Sequence, residues 1–409
     1  MTRARLTTPP RGWNSWDAFG TTVTEEEVLD NARWMHDHLL PADWDTIVVD
    51  IQWAEAVTGS HGYRPVSEPT LDHHGRPQPA VNRFPSAADG RGFGPLAGAV
   101  HDLGLRFGVH MMRGIPRSAV DAGLPVAGTD VTADRIADRD AFCTWNPDNY
   151  GVDLDHPAGQ AWYDGLVAML AGWGVDLIKL DDVLFPYRER DIEAYALAIE
   201  RSGRDIALSL SPGRQLSLER AEHLGAHADL WRVSDDLWDT WDDLREQFQR
   251  AARWAPFAGD GRWPDLDMLP LGRIGIRAER GDDRQSRLTP DEQRSMLTLW
   301  AIARSPLFLG GHLPDTRPEL LALLADPLLQ RLSQEGSGQR EIVRDSDFVV
   351  WRSRIGSETA VAVFSLAGPQ RLTFSRGDLG LPTSDGTAPV TVDVAEHGVE
   401  LLLFGPGAE

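Results

Sequence analysis

Apolar segments that end in polar residues alternate with amphipathic segments along most of the chain, and this alternation restricts the fold more than any other feature. Thr24 and Thr289 each precede acidic first-turn residues and a helical apolar repeat, as helix caps do. Repeated strand–helix units build a parallel sheet covered by helices, so we predict an α/β fold, a (β/α)8 TIM barrel over residues 1–333. The predicted strands are TIVVDIQW (46–53), LRFGVHMM (105–112), VDLIKLDD (175–182), DIALSLSP (205–212) and DLWRVS (229–234).

The pattern changes after residue 333. The segment SQEGSGQR (333–340) predicts a linker. The segments beyond it alternate apolar and polar residues, are rich in β-branched side chains and are separated by turn residues. These features predict a small antiparallel β-sandwich domain over residues 334–409.

The charge of the chain limits its partners. The formal net charge is −22, which argues against nucleic acid and anionic membrane surfaces, because both are bound through basic patches. A neutral carbohydrate meets no such penalty. Residues 1–14, MTRARLTTPPRGWN, lack the apolar run and cleavage site of a secretory signal, which predicts a cytoplasmic location. The sequence does not indicate the oligomeric state.

Lys179 is the one lysine in 409 residues, and it stands two positions before Asp181 in LIKLDDV. Both side chains point to the same face of the predicted strand, at the carboxyl end where barrels carry their active sites. A neighbouring ammonium keeps an aspartate ionised, as a nucleophile must be. The alternative is a structural ion pair, for which arginine would serve equally well. A compact ammonium instead suits contact with a sugar hydroxyl or formation of a Schiff base.

A second acidic cluster, WRVSDDLWDTWDD (231–243), follows another predicted strand. Two carboxylates from different strands that face one pocket are what glycosidic bond cleavage requires. Asp235 and Asp236 are the candidates, although an acidic helix start would give the same pattern. Other strand ends are also polar, namely Asp50, His110 and Ser211.

The sequence predicts no metal and no cofactor. It contains no HExxH motif, no set of cysteines or histidines with metal-ligand spacing, and no glycine-rich phosphate loop in a strand-to-helix setting. Cys143 is the single cysteine, so an intramolecular disulfide is impossible. A buried apolar role is expected for it, rather than a catalytic thiol.

Seven segments in order along the barrel resemble the motifs of glycoside hydrolase family 27, the family of α-galactosidases and α-N-acetylgalactosaminidases. The C-terminal β domain agrees with the same family. The segments are GWNSWDAFG (12–20), VVDIQW (48–53), GLRFGVH (104–110), WGVDLIKLDD (173–182), WRVSDD (231–236), WPDLDML (263–269) and ARSPLFLGG (303–311).

The resemblance implies an exo-acting retaining glycosidase that hydrolyses terminal α-galactoside-like residues through a covalent glycosyl-aspartate. Asp181 matches the family's nucleophile. Asp236 matches the acid/base, four residues after Arg232, and Asp235 is the alternative if the register differs by one. The substrate-binding residues implied by the motifs are Trp16, Asp50, Ile51, Trp53, His110, Lys179, Ser211 and Arg232.

The chain departs from the family's pattern at three points. Ile51 follows Asp50 where the family usually has a second aspartate, which removes a carboxylate near O4 and O6 of the sugar. Ser211 replaces the glutamate that α-galactosidases commonly place near O2, and an active-site disulfide is absent. The loss of a hydroxyl-binding carboxylate favours a sugar without a C6 hydroxyl, such as a β-L-arabinopyranoside, or another hexose.

Two further functions stay open on the sequence. One is a Schiff-base aldolase built on Lys179. The other is a non-catalytic sugar-binding protein, for which Ile51 is the one indication.

Overall fold

The computed structural model describes residues 6–64, 67–382 and 388–405; the predicted domain ends at 1–5 and 406–409 lie outside them. The strands of the described residues are β1 (Arg11–Asn14), β2 (Thr46–Val49), β3 (Arg106–Met112), β4 (Ile115–Pro116), β5 (Ala137–Phe142), β6 (Asn149–Val152), β7 (Leu177–Asp181), β8 (Ala207–Leu210), β9 (Leu230–Arg232), β10 (Trp263–Asp265), β11 (Arg273–Ile274), β12 (Arg284–Gln285), β13 (Leu307–Leu309), β14 (Gly336–Arg344), β15 (Phe348–Ile355), β16 (Glu358–Ser365), β17 (Gln370–Phe374), β18 (Val390–Val394) and β19 (Val399–Phe404). The helices of the same residues are α1 (Trp16–Phe19), α2 (Glu25–His38), α3 (Gly94–Asp102), α4 (Arg117–Asp121), α5 (Pro157–Gly172), α6 (Glu189–Ser202), α7 (Ala221–His227), α8 (Trp241–Trp254), α9 (Pro290–Ala303), α10 (Pro318–Leu324) and α11 (Pro327–Glu335).

Eight strands form one parallel sheet in the order β10-β9-β8-β7-β3-β2-β1-β13. The ring is completed between its two ends, where Leu269 and Leu309 form a parallel bridge. The amide of Leu269 donates to the Phe308 carbonyl at 2.7 Å there. The prediction of a TIM barrel is therefore confirmed, and all five predicted strands belong to it.

Capping residues fix where two of the barrel helices begin. Thr24 accepts a hydrogen bond from the amide of Glu27, and the Glu27 carboxylate accepts one from the amide of Thr24. Thr289 and Glu292 make the same reciprocal pair at the start of α9. Each pair satisfies two amides that the helix leaves without a backbone partner, as the sequence predicted.

A small antiparallel β domain follows the barrel, as predicted. Strands β14, β15, β16 and β19 form one sheet and β17 pairs with β18, with an apolar core that includes Val350, Val363 and Phe374. The prediction of a linker at 333–340 is wrong. Residues 333–335 end α11 and β14 begins at Gly336. The buried side chain of Gln339 donates to the carbonyls of Ala255 and Ala258, which fixes this strand against the barrel domain. The boundary after residue 333 stays a prediction.

The remaining findings on the fold concern membrane-spanning helices and the cysteine at position 143. Within the described ranges, no helix combines the length and the apolar character needed to cross a bilayer. Cys143 is buried, and burial raises the pKa of its thiol to about 12. The thiol is therefore protonated at neutral pH and unsuited to nucleophilic attack.

Candidate active site

Neighbouring barrel strands bring the predicted polar residues together. His110 of β3 is the register partner of Lys179 of β7, and Met112 is the partner of Asp181. Asp50 follows the last residue of β2, which is the next strand on the other side of β3. Because parallel strands end at the same edge, these side chains converge on the carboxyl-terminal mouth of the barrel.

Lys179 and Asp50 form a buried ion pair. The Lys179 Nζ lies 2.7 Å from Asp50 Oδ2, which also accepts a 2.7 Å hydrogen bond from Asn14. Burial opposes ionisation of Asp50, but the charge of Lys179 and its hydrogen bond lower the Asp50 pKa well below its usual range. Burial likewise opposes the charge of Lys179, yet Asp50 and Asp181 raise the Lys179 pKa above its ordinary value. A Schiff-base lysine needs the opposite shift, so the aldolase hypothesis loses its support.

Asp181 is held as a carboxylate by its neighbours. Its Oδ2 lies 3.2 Å from His110 Nε2, and its Oδ1 accepts a hydrogen bond from the amide of Asp182 at 3.0 Å. Burial opposes ionisation, but the His110 hydrogen bond and the charge of Lys179 lower the Asp181 pKa. His110 therefore contacts the carboxylate that the sequence predicted as nucleophile and helps to keep it ionised.

Asp236 follows β9, which is separated from β7 by one strand of the barrel, and its side chain is partly exposed. Arg232 donates to Asp236 Oδ1 at 3.1 Å, and its other terminal nitrogen lies 3.0 Å from Asp267. Asp267 is fully enclosed, and burial raises its pKa to about 7 although Arg232 opposes this shift. Asp235, the alternative to Asp236, is exposed, and its Oδ1 accepts a hydrogen bond from the amide of Arg214.

A cavity of about 440 Å³ contains both proposed catalytic carboxylates in its wall. Asp181 and Asp236 line it together with three aromatic side chains, namely Tyr63, Trp145 and Phe185. Trp145 and Phe185 are 39% and 55% exposed. Exposed rings at the mouth of a polar cavity offer flat apolar surfaces to the C–H faces of a sugar.

Ile51 contributes to an apolar wall beside Asp50. It is buried in a cluster with Trp16 and Met268, against which Tyr63 packs. The rings of Trp16 and Tyr63 are stacked, with centroids 5.1 Å apart. The position that follows Asp50 therefore offers carbon surface where a second aspartate would offer oxygen.

Ser211 and Trp53 are both buried, but in different surroundings. Ser211 follows β8, and its Oγ makes no hydrogen bond to any described residue. Trp53 lies in the main hydrophobic core against Phe93, and its indole nitrogen donates to the carbonyl of His110 at 2.7 Å. Trp53 supports the strand that carries His110, while direct sugar contact by it stays a prediction.

The sequence did not predict the cavity-lining Trp145 and Phe185, nor three further contributors to the site, Asn14, Tyr63 and Arg113. Asn14 binds Asp50, and Tyr63 covers Trp16. Arg113 pairs with Asp182 at 2.7 Å, and this pair holds the residue after Asp181 at a positive φ of 63°. The polar end of β1 signals Asn14, whereas Tyr63 comes from a long loop without a periodic pattern.

The chain is similar in sequence to α-galactosidases and α-N-acetylgalactosaminidases. The family model described as alpha galactosidase A matches residues 154–335. An α-galactosidase from Cyamopsis tetragonoloba is 27% identical over 97% of this chain and 82% of its own. An α-N-acetylgalactosaminidase from Gallus gallus is 28% identical over 92% of this chain and 84% of its own.

One solved structure has a higher sequence identity to this chain than these two relatives. It is a variant of a family 27 β-L-arabinopyranosidase from Geobacillus stearothermophilus in complex with arabinose. The identity is 42%, 98% of each chain is covered and the TM-score is 0.95.

Proposed function

Because this chain belongs to glycoside hydrolase family 27 and is a glycoside hydrolase, we propose that it is a retaining exo-glycosidase that removes terminal β-L-arabinopyranosyl residues. The observation that carries the choice of sugar is Ile51 in its apolar wall beside Asp50. The 42% identical relative is a β-L-arabinopyranosidase, which supports the same sugar.

Asp181 is the proposed nucleophile. Its lowered pKa keeps it ionised at neutral pH, so its oxygen attacks the anomeric carbon while the glycosidic C–O bond breaks. Asp236 gives its proton to the leaving oxygen. In the second step Asp236 takes a proton from water, the water oxygen attacks the anomeric carbon, and the bond to Asp181 breaks. Two inversions at one carbon retain its configuration.

Asp50, Lys179 and Trp16 are proposed to orient the sugar. Lys179 has three N–H donors and gives one to Asp50, which leaves two for ring hydroxyls. Asp50 holds the Lys179 ammonium in place, so the two side chains orient the sugar together. Ser211 is the candidate partner for a hydroxyl near C2, since its Oγ has no partner among the described residues.

The choice between sugars rests on one substituent. A β-L-arabinopyranoside has the ring configuration of an α-D-galactoside without the C6 hydroxymethyl group. A hexose would place that hydroxyl against the apolar wall of Ile51, and an unsatisfied buried hydroxyl costs about 1–3 kcal/mol. We therefore expect kcat/KM for the arabinoside to exceed that for the galactoside by roughly 10- to 100-fold.

The test compares nitrophenyl β-L-arabinopyranoside with nitrophenyl α-D-galactopyranoside. Ile51→Asp restores a hydroxyl acceptor and should shift the ratio of kcat/KM toward the galactoside by at least tenfold. Ile51→Val keeps the wall apolar and should leave the ratio close to that of the wild type. A wild-type preference for the galactoside, or an unchanged ratio in Ile51→Asp, would overturn the arabinoside assignment. The first of these outcomes would instead favour an α-galactosidase.

A further inference from the structure

Three potential metal ligands meet between two neighbouring helices of the barrel, α6 and α7. His223 and His227 lie four residues apart on α7, and Glu193 comes from the neighbouring helix α6. One ligand atom from each residue lies within 4.8 Å of the other two. Sequence spacing alone does not single out this pair of histidines, because the third ligand comes from another helix.

The separation of two of these atoms fits a shared ion better than a hydrogen bond. His223 Nε2 lies 3.6 Å from Glu193 Oε1, and this nitrogen is buried without a hydrogen-bond partner among the described residues. Zinc binds imidazole nitrogen and carboxylate oxygen at about 2.0–2.2 Å, so two such ligands at a tetrahedral angle lie about 3.3–3.5 Å apart. The observed separation requires a shift of only a few tenths of an ångström.

The other nitrogen of His223 has the partner that a ligating histidine requires. His223 Nδ1 lies 2.6 Å from the hydroxyl of Tyr187. When Nδ1–H donates to this hydroxyl, Nε2 presents its lone pair toward Glu193. The ring of His227 lies 4.6 Å from that of His223 between centroids, which is the spacing expected of an i, i+4 pair on one helix face.

The charges around the cluster also permit a cation. Arg220 lies over the ring of Tyr187, but its guanidinium is paired with Glu189 at 2.8 Å. Glu193 is about half exposed, so an ion can enter from solvent and keep water as its fourth ligand. The net charge of −22 favours divalent cations at the surface.

We propose that Glu193, His223 and His227 form a binding site for one divalent transition-metal ion of the zinc type. Two imidazoles and one carboxylate suit zinc, cobalt, nickel and copper rather than magnesium or calcium, which prefer oxygen. The ion ties α7 to α6. Through His223 and Tyr187 it also braces the loop between β7 and α6, whose Phe185 lines the cavity at the proposed active site.

Titration of untagged, metal-free protein with ZnCl2 in a calorimeter tests the proposal. One equivalent should bind to the wild type. His223→Ala and His227→Ala should each weaken binding at least 100-fold, and Glu193→Gln should weaken it at least tenfold. The matched control is His73→Ala, which removes one member of another pair of adjacent histidine rings and should bind zinc as the wild type does.

Two further readouts keep the test independent of folding defects. CoCl2 should give visible absorption bands of a four-coordinate ion in the wild type and not in His227→Ala. At one fixed zinc concentration above the Kd of both proteins, zinc should raise the Tm of the wild type more than that of Glu193→Gln, in line with the weaker binding. Because Glu193 is about half exposed, its replacement leaves no cavity. Absence of saturable zinc binding, or equal binding by the wild type and His227→Ala, would overturn the proposal.

Discussion

Replacing Lys179 with methionine removes the ammonium that lies 2.7 Å from the buried carboxylate of Asp50. Methionine keeps most of the length and apolar volume of the lysine stem, so the change isolates the charge. The Asp50 carboxylate then keeps the hydrogen bonds from Asn14 and from the amide of Ile51, but loses its closest positive charge. An uncompensated charge at this 2% exposed position is the expected source of instability.

Loss of one partner from a buried ion pair costs about 3–5 kcal/mol. We expect Lys179→Met to lower the free energy of unfolding by this amount at pH 7. The double variant Asp50→Asn, Lys179→Met removes both charges and should recover more than half of the loss. An exposed pair supplies the control: Arg33 lies 3.0 Å from Asp30 with both side chains about half exposed, so Arg33→Met should cost less than about 1 kcal/mol.

The pH dependence gives a second signature. In the wild type the folded-state pKa of Asp50 is depressed, so its stabilising contribution is present above the unfolded pKa and is lost as the pH falls. Without Lys179, burial raises that pKa, so the variant loses stability as the pH rises through it. The difference between wild type and Lys179→Met should therefore grow from pH 4 to pH 7.

Urea unfolding monitored by tryptophan fluorescence measures these free energies. A loss of less than about 1 kcal/mol in Lys179→Met would contradict the expected cost of a buried, uncompensated Asp50 charge. A double variant no more stable than Lys179→Met would also contradict it, because the uncompensated Asp50 charge would then not be the cause of the instability.

Other predictions concern burial, acid catalysis and capping. Burial raises the pKa of Glu55 to about 7, so its stabilising contribution is present below its unfolded pKa and is lost as the pH rises through about 7. The free energy of unfolding of the wild type in urea should fall by on the order of 3 kcal/mol between pH 5 and pH 8, and that of Glu55→Gln should not. If the free energies of the two proteins changed in parallel with pH, the prediction would be wrong. Asp236→Ala should lower kcat/KM about 10²- to 10⁴-fold for a methyl glycoside and much less for a dinitrophenyl glycoside, which needs no proton donor; equal losses would argue against acid catalysis by Asp236. Thr289→Ala should lower the free energy of unfolding by about 1 kcal/mol through loss of the cap, whereas Thr289→Ser should stay near the wild type.

The sequence predicted those parts of the fold that depend on local patterns. Each predicted strand has an apolar interior and a polar carboxyl end. A few residues therefore indicate both where the strand lies and which of its residues face the active-site end of the barrel. Thr289 and Glu292 likewise specify a helix start through contacts three residues apart. The prediction of a linker at 333–340 was wrong because glycine and polar residues are typical both of linkers and of edge strands.

The site was predictable where it lies on strands and unpredictable where it depends on loops. Asp50, Lys179 and Asp181 follow from strand ends. Tyr63 stacks on Trp16 only because a long loop returns over the mouth of the barrel, and no local pattern specifies that return. Trp53 shows the converse, since a residue within a recognised motif packs into the core.

The central claim is that Asp181 forms a covalent bond to the sugar, and mass spectrometry of a trapped intermediate tests it most directly. The protein is incubated with a 2-deoxy-2,2-difluoro-β-L-arabinopyranoside that carries an activated leaving group, and the intact mass and the modified peptide are determined. We predict one added difluoro sugar per wild-type chain, attached to Asp181, and none in Asp181→Ala. Attachment to a different residue, or no adduct on a chain that releases the leaving group at a steady rate, would contradict the account.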